Sequence, residues 1–383
     1  MNEANPVVGL LLYVLGGLTG AVFYLPFKRV KGWAWESYWL VYALVGLLLF
    51  PWVLAFVVSP DVLGILSATE TRTLALCYLF GAMWGFGGLT WGLMIRYLGV
   101  GLGLAVGSGL CASAGTLIPP AFLGELGGLF QTPSGQATLA GVLIALGGIV
   151  MVGMAGMSKE RELPEAEKKK AVAEFDFRKG MTVAVFSGVM SAGMAFGLRS
   201  GGRIEEIAVS GATSPIWKGI PVLVVVLLGG LTVNVIWCAY LNAKNGTAGD
   251  YTRNAAPLAG NFLFAGLAGL IWCLQFVFFK VADAKIGELA FAGWTVLMSS
   301  QIVFSTLLGI ALGEWQGVST RTRALLASSL AVLVLSLVVI GYGNKLKTSE
   351  SPPSPSGVPA GRSSSWLPGP ARGFRPPPSA RRR

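Results

Sequence analysis

The side chains in this sequence that could do chemistry are amides and tryptophans inside long apolar stretches, and carboxylates at the ends of those stretches. Asn234 lies in the middle of one stretch, and Asn261 and Gln275 lie in the next. A polar side chain at membrane depth is costly, so each of these amides is a candidate for function. Asn261 and Gln275 are 14 residues apart, close to four helical turns, so they can share one helix face at different depths.

The amides and nearby indoles predict a binding site for a polar, uncharged solute. Amides supply paired hydrogen-bond donors and acceptors, which suit hydroxyl groups. The indole faces of Trp84, Trp91 and Trp272 suit the C–H face of a pyranose ring. The simpler alternative for each amide is a hydrogen bond between helices that only holds the bundle together.

Carboxylates at the ends of the apolar stretches are candidates for binding a proton. A proton-coupled carrier needs a group whose pKa responds to substrate and to the side that it faces. We predict Glu36 and Glu288 for this role, although either could be an ordinary boundary residue, or could bind sodium together with backbone carbonyls. Arg96 and Lys280, which end two stretches, are expected to extend to the lipid headgroups.

Several classes of enzyme are excluded by composition. The chain has no histidine, which removes Ser-His-Asp and Cys-His nucleophilic machinery. Its four cysteines lie in apolar stretches without close pairing, which indicates neither a disulfide framework nor a zinc site: Cys77, Cys111, Cys238 and Cys273. We therefore predict no enzyme, no metal and no cofactor other than the coupled ion.

Membrane-spanning helices must position these side chains. Of 383 residues, 54% are hydrophobic and 12% are charged, against roughly 25% charged in soluble chains. A helix of about 20 apolar residues crosses a hydrocarbon core of about 30 Å. Ten uncharged, mainly apolar stretches of 19 residues or more qualify, which we number spans 1 to 10: 4–27, 37–60, 73–95, 97–124, 126–158, 180–198, 219–243, 254–279, 289–313 and 324–344. The prediction is an all-α integral membrane protein.

A charged central loop divides the spans into two halves. We predict a first five-helix repeat over residues 1–157, the loop over 158–179 and a second repeat over 180–344. Because five is odd, a duplicated half would enter the membrane in the opposite orientation, as in the inverted repeats of secondary transporters. Residues 17–21 of span 1 and 188–192 of span 6 are a faint internal match.

The distribution of charge predicts orientation and partners. Loops after the odd-numbered spans carry 15 Lys and Arg, and the other side carries 8, which makes the odd loops cytoplasmic and both termini periplasmic. The net charge of +11 falls to +4 without residues 343–383, so nucleic acid is not an indicated partner. Residues 345–383, rich in Pro, Ser and Arg, are predicted to be a disordered tail, with a weak contact to acidic lipid as one role.

The sequence resembles the L-rhamnose–proton symporter family of the drug/metabolite transporter superfamily. The likeness extends over all ten spans and omits the tail. The residues that carry it are Phe23-Tyr24, Pro26-Phe27-Lys28, Val30-Lys31, Trp33, Trp35-Glu36, Phe80-Gly81-Ala82-Met83-Trp84-Gly85, Gly92-Leu93, Arg96-Tyr97-Leu98-Gly99, Gly115-Thr116-Leu117, Ser191-Ala192-Gly193-Met194, Asn234, Asn261, Trp272, Leu274 and Gln275-Phe276.

The resemblance implies a bacterial inner-membrane carrier that takes up a deoxyhexose with a proton, built as ten helices in an inverted five-plus-five repeat. We predict that Asn234, Asn261 and Gln275 bind the sugar hydroxyls and that Trp84, Trp91 or Trp272 stacks on its apolar face. Enterobacterial members carry amides where this chain has Gly88 and Thr90, and a histidine where it has Leu297. These departures leave the particular sugar open.

Two other functions remain as alternatives. The nearer one is a carrier or exporter for another small metabolite, because a shared fold does not fix the substrate. The other is a membrane scaffold or sensor that does not transport and that works through the basic tail.

Overall fold

A computed structural model of the chain describes residues 5–99, 102–103, 106–112, 114–115, 126–162, 176–252, 257–286 and 293–350. Over these residues the chain is helical and contains no strand. Nine segments of this described part are long and apolar enough to cross a membrane. They match every predicted span except span 4, half of which lies outside the described residues. The prediction of an all-α integral membrane protein is confirmed.

The helices follow the predicted spans, with breaks in spans 1, 2, 5 and 6. Spans 5 and 6 extend into the predicted loop 158–179, whose residues 163–175 lie outside the described part. The helices that form the spans are Pro6–Val22 with a 3-10 turn at Pro26–Arg29, Trp35–Ala43 continued by a π-helical segment at Leu44–Leu49 and by Phe50–Val58, Thr71–Leu98, Pro133–Glu162, Phe177–Ser191 with Gly193–Ser200, Ile220–Asn245, Leu258–Ile286, Gly293–Ala311 and Thr320–Glu350. Leu126–Gln131 is the first part of span 5, and short helices at Val62–Ser67, Gly202–Ser210, Pro215–Trp217 and Thr247–Tyr251 lie between the spans.

Polar caps and one glycine fix three of the helix ends. The side chain of Asn5 accepts a hydrogen bond from the Val8 amide at the start of span 1, and Asp176 accepts one from the Lys179 amide at the start of span 6. Span 7 ends at Gly246, whose φ of 67° is the left-handed conformation that glycine adopts without strain. The membrane-crossing helices therefore begin and end for local reasons that the sequence carries.

The spans pack mainly across the two halves of the chain. Span 1 packs against spans 8 and 9, and span 6 packs against span 3. Span 7 contacts spans 2 and 3, and span 2 also contacts span 8. Spans 5 and 10 pair with each other. These contacts unite both halves in one bundle. We call the end of the bundle at which span 1 begins the amino-terminal end.

Glycines let helix backbones touch where the halves meet. A Cβ atom added to Gly81 of span 3 would lie 1.9 Å from the carbonyl oxygen of Val226 in span 7, and Gly229 of span 7 meets span 3 equally closely. Gly46 of span 2 and Gly269 of span 8 form a second such contact, where an added Cβ would lie 2.6 Å from the backbone. Only glycine fits at these contacts, because the obstructing atoms are backbone.

We expect Gly81→Ala to destabilise the protein by roughly 1–3 kcal/mol, because the added methyl group forces spans 3 and 7 apart. The matched control is Gly153→Ala in span 5, where no described atom lies within 4 Å of the added Cβ. Thermal unfolding of the two purified variants in detergent measures the difference. Equal melting temperatures for the two variants would contradict the close contact.

The carboxylate of Glu162, just beyond span 5, caps the start of span 10. Its oxygens accept hydrogen bonds from the Thr322 hydroxyl and the Ser319 amide, both at 2.6 Å. These bonds, above all the one from Thr322, lower the pKa of Glu162 from the usual 4.5 to about 2. The cap therefore requires the charged carboxylate.

We expect Glu162→Gln to lower the melting temperature near pH 7 and to matter less in acid. A lowered pKa contributes stability that is present above pH 4.5 and is lost as the pH falls toward about 2. Melting curves at about pH 7 and pH 3.5 test this, with Glu70→Gln, an exposed carboxylate, as the control. A difference that does not change with pH would show that the charge is unimportant.

Candidate functional site

A cavity lies in the middle of the bundle, between the two halves. Its walls come from spans 1, 2 and 3 of the first half and from spans 6 to 9 of the second, and Cys111 also reaches it. The described residues that line it are Phe23, Trp39, Tyr42, Trp84, Gly88, Trp91, Cys111, Ser191, Met194, Asn234, Trp272, Gln275, Phe276, Trp294, Met298 and Gln301. None of these residues is charged, so the wall suits an uncharged ligand.

All three tryptophans predicted from the sequence lie in this wall. The rings of Trp84 in span 3 and Trp272 in span 8 stack, with centroids 5.0 Å apart and planes at 24°. Phe276 packs against Trp272 at 4.8 Å between centroids, and Trp91 lies two turns beyond Trp84. The stack gives the cavity a broad aromatic surface of the kind that binds the apolar face of a sugar ring.

Two of the three predicted amides also reach the cavity. The Asn234 side chain accepts a hydrogen bond from the Trp39 indole at 2.8 Å and donates one to the Gly230 carbonyl at 2.8 Å. Gln275 donates to the Trp272 carbonyl at 3.0 Å, and its side-chain oxygen lies against Gly20 of span 1. Asn234 therefore orients a cavity tryptophan, and the Gln275 oxygen is the better placed to accept from a hydroxyl group.

The third amide, Asn261, does not line the cavity. Its side chain accepts a hydrogen bond from the Lys31 amide at 3.0 Å and donates one to the Lys31 carbonyl at 2.8 Å. Both polar ends of the amide are thus bonded to the backbone between spans 1 and 2. The structure gives Asn261 the role of holding that loop against the start of span 8.

Sequence reasoning left three polar residues of the wall out of the site. Gln301 of span 9 is 4% exposed and donates to the Gly20 carbonyl at 2.9 Å, beside Gln275. Ser191 of span 6 has a buried hydroxyl with no hydrogen-bond partner among the described residues. Trp39 of span 2 also lines the cavity, and its indole donates a hydrogen bond to Asn234. A polar residue within an apolar stretch was the available signal for Gln301.

A glycine lies three residues before each tryptophan of the stacked pair, at 81–84 in span 3 and at 269–272 in span 8. Gly81 and Gly269 are close-contact glycines, and Trp84 and Trp272 are the stacked pair. The same spacing also occurs at 32–35 and 88–91, so it does not by itself identify the site.

Glu36 lies in a polar network at the end of the bundle opposite the amino terminus. Its Oε1 accepts hydrogen bonds from the Asn245 amide and the Thr247 hydroxyl, both at 2.9 Å. Asn242 accepts from Thr247 at 3.2 Å and from Ser37 at 3.3 Å. The network joins the start of span 2 to the end of span 7. Glu288, the other predicted carboxylate, lies outside the described residues.

A second charged network lies at the amino-terminal end, and it corrects the expectation for Lys280. That side chain is 6% exposed and does not extend to the membrane surface, because its ammonium group contacts Glu205 and lies 3.4 Å from Asp283. Lys218 pairs with the other oxygen of Glu205 at 3.1 Å. Burial of the ammonium group is possible because two carboxylates surround it.

Comparison with known proteins covers nearly the whole chain. Residues 1–345 match the family described as L-rhamnose-proton symport protein. A protein of Yersinia pestis (strain Pestoides F) named L-rhamnose-proton symporter is 34% identical over 348 residues, 90% of this chain and 99% of the relative. One of Cronobacter sakazakii with the same name is 34% identical over 341 residues, 88% of this chain and 97% of the relative. The tail follows the matched region.

Proposed function

Since the chain belongs to the L-rhamnose-proton symporter family, we propose that it carries L-rhamnose or a related deoxyhexose across the membrane together with a proton. The observation that supports this most directly is the wall of the central cavity. Its described residues combine stacked indoles with amide and hydroxyl groups and include no charge. Such a surface suits a neutral sugar better than an ionic metabolite.

In this proposal the sugar ring lies against Trp84 and Trp272, with Trp91 at the side. Gln275 binds a hydroxyl group directly, and Asn234 acts through the indole of Trp39. Met194, Phe276 and Met298 supply apolar surface for the deoxy methyl group. Asn261 is left out of the sugar site because both ends of its amide bind the Lys31 backbone.

The proposed architecture is ten helices in an inverted five-plus-five repeat of the drug/metabolite transporter type. In such a repeat, span 1 corresponds to span 6 and span 3 corresponds to span 8. The contact of span 1 with span 8 then corresponds to the contact of span 6 with span 3, and both contacts exist. The glycine contact of spans 2 and 8 likewise corresponds to that of spans 7 and 3. Repeats of this kind allow alternating access, in which one half rocks against the other around a central site.

The proposed location is the bacterial inner membrane, with both termini in the periplasm. The excess of Lys and Arg in the odd-numbered loops supports this orientation. The amino-terminal end of the bundle then faces the periplasm, and the Glu36 network faces the cytoplasm. Glu36 and Glu288 stay as proposed coupling carboxylates from the sequence. Opening the cytoplasmic end would separate Glu36 from Asn245 and Thr247 and so change its affinity for a proton.

One observation favours a second candidate, the transport of a different neutral sugar. Gly88, where enterobacterial members of the family carry an amide, lines the cavity and lies next to Trp84. Leu297, where they carry a histidine, is fully buried against Gly16 of span 1. Thr90 is bonded to Ser187 at 2.6 Å and is not part of the wall. Of the three departures, only the one at Gly88 changes the cavity surface directly.

Uptake of labelled L-rhamnose into proteoliposomes tests the function. We expect accumulation under an inward proton gradient and its collapse with a protonophore. Counterflow against a panel of other deoxyhexoses and hexoses identifies a different sugar. If demonstrably folded protein does not take up L-rhamnose but shows counterflow of another solute, the proposed substrate is wrong and the proposed carrier function stands.

We expect Gln275→Ala to raise the half-saturating sugar concentration roughly tenfold, the effect of losing one hydrogen bond of about 1.4 kcal/mol. Asn261→Ala is the matched control, because it removes a similar buried amide from the same helix but outside the cavity. The half-saturating sugar concentration of each variant is measured from the concentration dependence of counterflow. An unchanged value for Gln275→Ala in folded protein would remove that residue from the sugar site.

A further inference from the structure

The network at the amino-terminal end contains a carboxyl group that neither the sugar site nor the family resemblance uses. Asp283 lies near the end of span 8, and its Oδ1 accepts a hydrogen bond from the Tyr13 hydroxyl of span 1 at 2.6 Å. Its Oδ2 lies 3.4 Å from the Lys280 ammonium group. We propose that Asp283 binds the coupled proton when the amino-terminal end of the carrier is open. This inference rests on the proposed proton symport.

Asp283 is better suited to exchange a proton than its neighbour Glu205. Glu205 pairs with both Lys280 and Lys218, whereas the ion pair that Asp283 makes within the described part of the chain is the longer one to Lys280. A proton on Asp283 therefore leaves Lys280 with its nearer partner, while a proton on Glu205 would weaken two ion pairs. In the step itself, one carboxylate oxygen takes a proton from water and becomes a neutral carboxyl group, and no other bond changes.

The surrounding charges keep Asp283 responsive to its environment. Glu205 and Lys218 approach from the segment between spans 6 and 7, and Arg199 at the end of span 6 acts electrostatically on Tyr13. Lys280 approaches from the same helix as Asp283. Any movement of span 6 or span 8 changes their distances, and so changes the affinity of Asp283 for a proton.

A direct mechanical route connects Asp283 to the sugar cavity. Gln275, Phe279 and Asp283 follow one another at intervals of four residues and share one face of span 8. Asp283 is about 12 Å from Gln275 along the helix, from eight residues at 1.5 Å each. Phe279 packs against Tyr13 at 5.4 Å and against the cavity residue Trp294 at 5.5 Å between ring centroids.

The start of span 9 completes this route. A Cβ atom added to Gly293 would lie 2.2 Å from the Tyr13 hydroxyl, so Tyr13 rests directly on the backbone beside Trp294. When Asp283 is charged, Tyr13 must donate its proton to it, and this holds span 1 against span 8. A neutral Asp283 no longer requires that bond, so Tyr13 and the adjacent cavity wall are free to move. Protonation and sugar binding are thereby linked.

Asp283→Asn in proteoliposomes tests the proposal. We expect counterflow of L-rhamnose at equal pH on both sides to stay within about twofold of the unaltered protein, because exchange does not need net proton movement. Accumulation driven by an inward proton gradient should be lost. Asp283→Glu, which restores a carboxyl group, should restore accumulation. Glu206→Gln, a neighbouring acid paired with Arg203 at the surface, should leave both activities unchanged.

The outcomes separate this proposal from the proposed function. Unaltered protein that shows neither counterflow nor uptake would refute the sugar symport itself. Normal accumulation by Asp283→Asn would overturn the role of Asp283, and so would joint loss of accumulation and counterflow in folded protein. Glu36→Gln is measured in parallel to test the opposite end of the bundle. If Glu36→Gln loses accumulation while Asp283→Asn accumulates normally, the assignment of the coupled proton to Asp283 is overturned.

A milder variant keeps the proposal testable if Asp283→Asn fails to fold. Tyr13→Phe removes one hydrogen bond to the charged carboxylate, so we expect the pH profile of gradient-driven uptake to move to higher pH. An unmoved pH profile in folded Tyr13→Phe would contradict proton binding at Asp283.

Discussion

Backbone contact between helices at glycine is the constraint on which the rest of this structure depends. In a lipid environment helices gain little by hiding apolar surface from one another, so close packing must hold them together. Gly81 and Gly229 bring spans 3 and 7 together, and Gly46 and Gly269 do the same for spans 2 and 8. These contacts fix the separation at which Trp84 and Trp272 stack, and hence the shape of the cavity.

The cavity lies between two polar networks of different character. At the Glu36 end, neutral donors from span 7 and the following turn bind a carboxylate. At the amino-terminal end, the carboxylates of Glu205 and Asp283 contact the Lys280 ammonium group, and Lys218 pairs with Glu205. Buried charge is tolerated only where it is paired or hydrogen-bonded, as it is in both networks, and the described wall between them is uncharged. This arrangement suits a neutral solute in the middle of the bundle and a titrating group at one of its ends.

The sequence located membrane-depth polar residues well but could not say which way each one faces. Asn261 and Gln275 lie on the same helix, yet Asn261 binds the Lys31 backbone while Gln275 reaches the cavity. Lys280 was expected at the headgroups because it ends an apolar stretch, but partners 75 residues earlier and three residues later bury it. Gln301 resembled any other buried amide until span 1 was placed beside it.

Hydropathy and charge alone determined the helical class, nine of the helices in the described part and the pool of candidate residues. These properties follow from the cost of exposing polar backbone and charge to lipid, which acts on each segment separately. The rotation of each helix about its axis, and the partners of Asp283 and Asn261, were decided only by tertiary packing. Glycine contacts between distant segments set that packing, and no local pattern contains them.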